Sequence, residues 1–591
     1  MTGLQSPIER TDDLRLIKIT NNTNVSWFSN TILLKNYWTK NKFECLKICF
    51  EIDICKFLSY DRNNCSFYDS LERNNQTING NFWYNIEYFT FYCEGQLINK
   101  HNKIVSKKVQ EGIYLNSSQI CNIKPFILSR YKSVKQLHLF NNFLSLVRHS
   151  TFYGLISLEY LDLSYNKIEN VELYGLPYLS TLYLQHNLLT KLSSNMFIGL
   201  NKLYELSISF NNLICIQEDF FEIIPNLNRL DLSSNQIFSL NNRIFRNLFK
   251  LIHLNLGNNK LESIEAETFY GLDSIQEIYL NGNQIKRIGS MSLNSLTTLR
   301  LLKLDQNKLT NLSQFIFKNL TLLDSLDLNN NNIEYFHTEI FNNLVSLRFL
   351  SVQKNHISQI DIELFRNISS LTELNLEINR LSFINETTFI NLKNLYRLFI
   401  SDNYLTNLYE NMFAGLANLG ELYMVNNHIS YIDKNAFNEL KNLKYLHLRL
   451  NWLDYLDAKV FSKISNLINL DLAHNKFKTI DLSYLNKLET LHLYSNIFTT
   501  FSINSTSLIH LNLNANPIRY LNYSFIVSNG MVPNLKVLEI MYCNIEWIDQ
   551  DALKTYKNLN LSILFSTNSV FRILLASQDK FNIINFMVMN K

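Results

Sequence analysis

The sequence predicts an α/β solenoid, a stack of short coils sharing one elongated core. Three observations carry that expectation. The phrase LDLSSNQI beginning at Leu230 returns as LNLGNNKL at Leu254, placing Asn235 and Asn259 24 positions apart. The frame L-x-L-x-x-N-x-L recurs with its asparagine at 142, 166, 187, 211, 235, 259, 283, 307, 331, 355, 379, 403, 427, 451, 475, 496 and 516, and every step from Asn187 to Asn475 is 24. At 591 residues the chain is also too long for one ordinary core, so it needs several domains or a repeat array.

Each part of the repeat has a physical reading. L-x-L is a short strand whose alternate residues face a core. One strand per coil cannot bury its apolar face alone, so successive copies stack into a parallel sheet. The chain turns sharply after each strand and leaves backbone groups without ladder partners. An inward asparagine, donor and acceptor together, can satisfy those groups in adjacent turns. Weaker copies put Ser118 and Cys543 in that slot, and another lies around Asn568. Ten residues after the asparagine comes a second signature, Phe152, Phe197, Phe221, Phe245, Phe269, Phe317, Phe341, Phe365, Phe389, Phe413, Phe437 and Phe461, interrupted by Leu293. Stacked, these rings would fill the convex side of the core as an aromatic spine. The repeats ending at Asn496 and Asn516 shorten to 21 and 20 residues and lose the phenylalanine, so altered curvature is expected there.

This pattern resembles the leucine-rich repeat family in its 24-residue extracellular form, over roughly residues 110 to 570. The resemblance implies a horseshoe with a parallel sheet on its concave face, and it casts the repeated Leu, Asn and Phe residues as scaffold.

Six of the eight cysteines precede residue 122. Cys45 and Cys49 fall at i and i+4, on one face of a helix, and Cys55 and Cys65 follow in strand-like segments. No C-x-x-C or neighbouring histidine supports a zinc site. The stretch FECLKICFEIDICKFLSYDRNNCSFYDS resembles the PAN/apple module, a small disulfide-bonded α+β domain. The resemblance implies nested Cys45–Cys65 and Cys49–Cys55 bridges. Cys93 and Cys121 then flank the first repeat, where extracellular repeat proteins carry a bonded cap, and they are expected to pair. Cys215 and Cys543 stand fourteen repeats apart, tens of ångströms at ~4.8 Å per strand, too far to bridge. The expected organisation is a polar segment (1–19), a PAN/apple-like domain (20–95), an amino-terminal cap (96–125), repeats (126–570) and a tail (571–591).

Composition narrows the function. The formal charge is only +4, and no basic block suggests a nucleic-acid or membrane-surface partner. Gly (14) and Pro (6) are scarce, so no flexible linker is expected. Disulfides imply an oxidising compartment, yet MTGLQSPIERTDDL has no apolar core of a secretory signal and no apolar run reaches 18 residues. An incomplete amino terminus reconciles the two. Sequons such as Asn311, Asn367 and Asn385 permit glycosylation, but with 83 asparagines they carry little information. There is no phosphate loop, H-E-x-x-H or paired-carboxylate signature, so neither an enzyme nor a cofactor is expected.

The variable positions of the concave strands carry more. The residue between the paired leucines runs Asn375, Phe399, Tyr423, His447, Asp471, His492. Two residues earlier stand Glu373, Arg397, Glu421 and Tyr445; two later stand Glu377, Ser401, Val425, Arg449, Ala473 and Tyr494. Each column lies in line across the sheet. Glu373, Asn375, Arg397, Phe399, Glu421, Tyr423, Tyr445, His447, Arg449 and Tyr494 thus form an aromatic and charged patch of the kind that binds proteins. Glu373–Arg397–Glu421 also reads as a plain cross-strand ion ladder. The expected function is non-catalytic, extracellular or cell-surface recognition of a protein or glycan. The ectodomain of a leucine-rich-repeat G-protein-coupled receptor and a matrix or adhesion protein are the alternatives.

Overall fold

The computed structural model describes residues 112–521 except 124, 127 and 130, and residues 532–546 except 544; elsewhere it gives only the backbone of individual strands. The chain divides into two compact units, Met1–Lys260 and Leu261–Lys591.

Both units are built from the same coil. In the first, three-residue strands from Gly112–Tyr114 to His253–Asn255 pair in parallel, each with the next repeat's strand and in register. In the second, strands from Glu277–Tyr279 to Val537–Glu539 do the same. The middle residue of each strand is a buried leucine or isoleucine, and in most strands its two neighbours are partly exposed. The shortened repeats keep this register, Asn469 opposite Thr490 and Thr490 opposite His510, so the lost residues come out of the return leg.

The asparagine performs the expected work. Asn379 accepts the Ile357 N–H on Oδ1 at 3.0 Å, and its Nδ2 donates to the carbonyls of Val352 (3.0 Å) and Leu376 (3.1 Å). One amide thereby ties its own turn to the turn before it, and the pattern repeats at Asn403 and Asn475. The residue before the asparagine takes a left-handed backbone, as at Ile378 (φ 52°) and Leu450 (φ 58°), which is how the chain leaves the strand so sharply. Cys543 fills the slot as a substitute donor, its Sγ reaching the Leu513 carbonyl at 3.5 Å.

The phenylalanine spine is buried throughout, with rings such as Phe365 and Phe389 stacked 6.2 Å apart at 14°. The expected α component is corrected. The described return legs are chains of i→i−3 turns, as in Leu392 N–H to Phe389 O and Leu395 N–H to Leu392 O, with 3₁₀ segments at His149–Thr151, Ser194–Met196, Phe220–Ile223 and Ala458–Phe461. A 3₁₀ turn rises ~2.0 Å per residue against ~1.5 Å for an α-helix, so it spans the return of a short coil with fewer residues.

Strands Leu33–Trp38, Phe57–Asp61, Asn64–Tyr68 and Phe82–Asn85 form a four-stranded antiparallel sheet. Cys45, Cys49 and Cys55 lie outside the described residues, and Cys65 and Cys93 lie on strands described as backbone alone. The apple-like bridges therefore fall outside the described residues. Cys121 is disulfide-bonded, and Cys215 and Cys543 are free thiols.

Candidate ligand-binding face

The sheet register of the second unit assembles the predicted columns. Glu373 lies opposite Arg397, Arg397 opposite Glu421, and Glu421 opposite Tyr445. Asn375, Phe399, Tyr423, His447 and Asp471 follow one another in the next column.

Side chains then link up along these lines. Phe399 and Tyr423 stack at 4.7 Å and 14°, and Tyr423 and His447 at 4.6 Å and 4°. Beside this file, Arg397 pairs with Glu373 (3.1 Å) and Glu421 (3.3 Å). The ion ladder and the aromatic patch are thus both present, and Glu421 joins them by accepting the Tyr423 hydroxyl at 2.9 Å. Burial first, then that hydrogen bond, pushes the Tyr423 hydroxyl up to about 12, so it stays a donor at neutral pH. The Arg397 side chain is 46% exposed, and such exposed pairs contribute ~1 kcal/mol or less. Their effect is to hold the rings in place rather than to stabilise the fold.

Two predicted residues behave differently. Asn375 turns back on its own strand, its Oδ1 accepting the Glu377 N–H at 2.9 Å, so that oxygen is already engaged. Arg449 reaches along its own column, past Ala473, to Tyr494, its Cζ 5.2 Å from the ring centroid.

The predicted patch leaves out several neighbours, among them His492, which the sequence places in the same column as His447. His474 packs edge-on against Tyr494 at 5.0 Å, and His492 packs against His510 at 5.3 Å. His510 Nε2 reaches Glu539 Oε1 at 2.9 Å. A second file, Tyr404, His428 and Trp452, runs one residue past the repeat asparagines, with ring spacings of 5.6 and 4.4 Å. In the first unit, outside the predicted patch, His138 lies between Tyr114 (4.6 Å) and Tyr160 (4.8 Å), and His186 between Tyr165 (4.1 Å) and Phe210 (4.2 Å). Taking the columns one residue before and one residue after each repeat asparagine would have found the files at Tyr165 and Tyr404; position alone gives no ring contacts.

Three partly buried histidines are expected to make the fold acid-sensitive. Burial depresses His138, His474 and His492, and His138 Nε2 and His492 Nδ1 are buried without a partner. Asp162 opposes the shift at His138; Asp471 opposes it and Arg449 adds to it at His474. At His492, Asp471 and Glu539 oppose it while His510 and His447 add to it. A depressed folded-state pKa means that the unfolded chain binds protons first as pH falls through about 6.5, so stability drops from there down to the folded-state values. Thermal unfolding at pH 7.5 and 5.5 is expected to show a lower midpoint at pH 5.5, with a smaller drop in His492→Gln. Equal midpoints would contradict this account.

Short parallel strands, a buried asparagine ladder and a phenylalanine spine define a solenoid of leucine-rich coils. The chain belongs to the leucine-rich repeat family, whose model, described as "Leucine rich repeat", matches residues 113–168, 132–189, 172–213, 225–285, 297–357, 369–429, 425–477 and 441–498. It is similar to an adenylate cyclase of Schizosaccharomyces pombe, 38% identical over 114 residues, which cover 19% of this chain and 7% of the cyclase. It is also similar to osteomodulin of Bos taurus, 31% identical over 156 residues, which cover 21% of this chain and 37% of osteomodulin. The chain thus spans well under half the length of these relatives. Among solved structures it resembles the Drosophila Toll–Spatzle complex with a TM-score of 0.63 and 19% identity, over 78% of this chain and 62% of that one. That likeness concerns the fold.

Proposed function

We propose that the chain is a non-catalytic recognition protein, extracellular or cell-surface, that binds a protein ligand on the strand face between Glu373 and Tyr494. The observation that carries this reading is the file Phe399–Tyr423–His447, stacked in register on a rigid sheet and braced by Arg397. Preformed aromatic anchors lose little conformational freedom on binding. The stack also favours protein over glycan. Sugars pack on ring faces, whereas these rings spend their faces on one another and offer their electropositive edges outward. Protein carbonyls and carboxylates match such edges.

The disulfide at Cys121 supports an oxidising compartment. The same reading takes Cys93 as its partner, since Asn122–Ile123 runs antiparallel to Phe91–Cys93 with Asn122 opposite Tyr92. Cys45–Cys65 and Cys49–Cys55 would then close a PAN-like module beside the repeats.

The test is a binding screen of the full chain against secreted and cell-surface proteins, repeated with Phe399→Ala/Tyr423→Ala. Loss of a hot-spot ring costs about 2 kcal/mol or more, so affinity is expected to fall at least ~30-fold. A partner that binds the double variant unchanged would remove the strand face from its role.

A further inference from the structure

Among the described residues, the Arg449 guanidinium on the recognition face has no carboxylate partner. The residues two positions beyond the strands Tyr445–His447, Asn469–Asp471 and Thr490–His492 are Arg449, Ala473 and Tyr494. Ala473 is fully buried and offers no side chain beyond Cβ, so it leaves a notch in the face. Arg449 lies across that notch with its guanidinium over Tyr494. His474 holds the Tyr494 ring from one side at 5.0 Å, and His492 stands at 6.5 Å.

Arg397 on the same face has two carboxylates within reach. The Arg449 side chain has neither a hydrogen bond nor an ion pair among the described residues, and its Nε is buried with no acceptor. A guanidinium nitrogen withdrawn from water without an acceptor is destabilising. Stacking on Tyr494 holds the planar fork in one orientation, which removes much of the entropy loss of a later bidentate contact.

We infer that Arg449, with Tyr494 and His474 around it, is a carboxylate-binding subsite for an acidic residue or the carboxyl terminus of a protein ligand. This inference rests on the recognition reading above and names the chemistry its ligand must carry. A planar fork donates two parallel N–H bonds to the oxygens of one carboxylate. A sulfated polymer needs a run of cations, whereas here Asp471 stands next to His447, its Oδ2 3.9 Å from Nδ1. The subsite thus fits a single carboxylate better than a polyanion.

Three synthetic hexapeptides, each with two flanking tyrosines for the aromatic file, test the subsite against the full chain. One carries an internal glutamate and an amidated end, one a glutamine and an amidated end, and one a glutamine and a free carboxyl end. A heparin-derived oligosaccharide is the fourth probe. The glutamate peptide or the free-ended peptide is expected to bind at least tenfold tighter than the glutamine amide, and which of them does so distinguishes the two carboxylate sources. Arg449→Gln is expected to abolish the difference and Arg449→Lys to keep part of it, each with a circular-dichroism melt no lower than that of the unchanged chain. Phe399→Ala should weaken all three peptides alike. Equal binding of all three peptides, binding by none of them up to millimolar concentration, a preference that survives Arg449→Gln, or binding of the oligosaccharide alone would each overturn the inference. A screened partner lost in the Phe399/Tyr423 variant yet indifferent to Arg449→Gln would sink the subsite and leave the recognition reading standing. An Arg449-dependent peptide preference with a partner indifferent to the double variant would do the reverse.

Discussion

Asn379→Ala is expected to destabilise the second unit by about 2–4 kcal/mol, because one buried N–H is left without an acceptor at ~1–3 kcal/mol and two carbonyls each lose one of two donors. The orphaned group is the Ile357 N–H; the Val352 and Leu376 carbonyls keep the Asn355 and Asn403 amides as donors, and Asn379 is itself only 5% exposed. Water cannot take over without opening the coil. Asn375→Ala, four residues earlier on the partly exposed face, removes one acceptor for the Glu377 N–H and is expected to cost about 1 kcal/mol. Asn379→Cys should fall between the two, since Cys543 shows a thiol in this slot donating weakly to the Leu513 and Met541 carbonyls at 3.5 and 3.7 Å. Urea unfolding followed by circular dichroism gives the magnitudes. Hydrogen exchange should place the loss in the coils on either side of Asn379, because a repeat array loses stability through its nearest-neighbour interfaces. A cost below about 1 kcal/mol for Asn379→Ala would mean that the asparagine ladder does not hold the coils together.

The same ladder explains why so much of the fold could be read in the sequence. A coil that cannot bury its own face must repeat its solution, so Leu374, Leu376, Asn379 and Phe389 recur at a fixed phase and announce a shared core. The return leg was less legible. Phe389, Leu392 and Leu395 stand three apart, which fits one face of a helix as well as a chain of i→i−3 turns; the tight return selects the turns. At the face, the 24-residue step put Glu373, Arg397 and Glu421 in one line, and the structure joins them. The step could not reveal which side chains reach past a neighbour in their own column. Arg449 reaches Tyr494 past Ala473, which has no side chain beyond Cβ, a fact of three successive coils rather than of one position. The files through His186 and His428 were missed for a related reason. They occupy the turn on either side of the asparagine, where a strand-centred reading does not look.

Phe389→Ala is expected to cost about 3–5 kcal/mol, through lost transfer energy and the cavity left behind. Phe389 is fully buried and stacks on Phe365 at 6.2 Å. Relaxation around it is limited, because the Asn379 and Asn403 side chains pin the backbone of the adjoining turns. The volume-conserving change separates two accounts of the spine. If the slot asks only for apolar volume, Phe389→Leu should cost less than about 1.5 kcal/mol. Leu293 already occupies the equivalent position at 1% exposure, which supports that account. If ring stacking sets the coil spacing, leucine should cost nearly as much as alanine, and the neighbouring strand Arg397–Phe399 should lose its register with Glu421–Tyr423. Binding reports the same distinction at the face, because Phe399 and Tyr423 stack at 4.7 Å only while those strands stay aligned. A leucine variant that keeps both its unfolding midpoint and its affinity for a strand-face ligand therefore assigns the spine to packing volume. One that loses both assigns it to the alignment of the recognition surface.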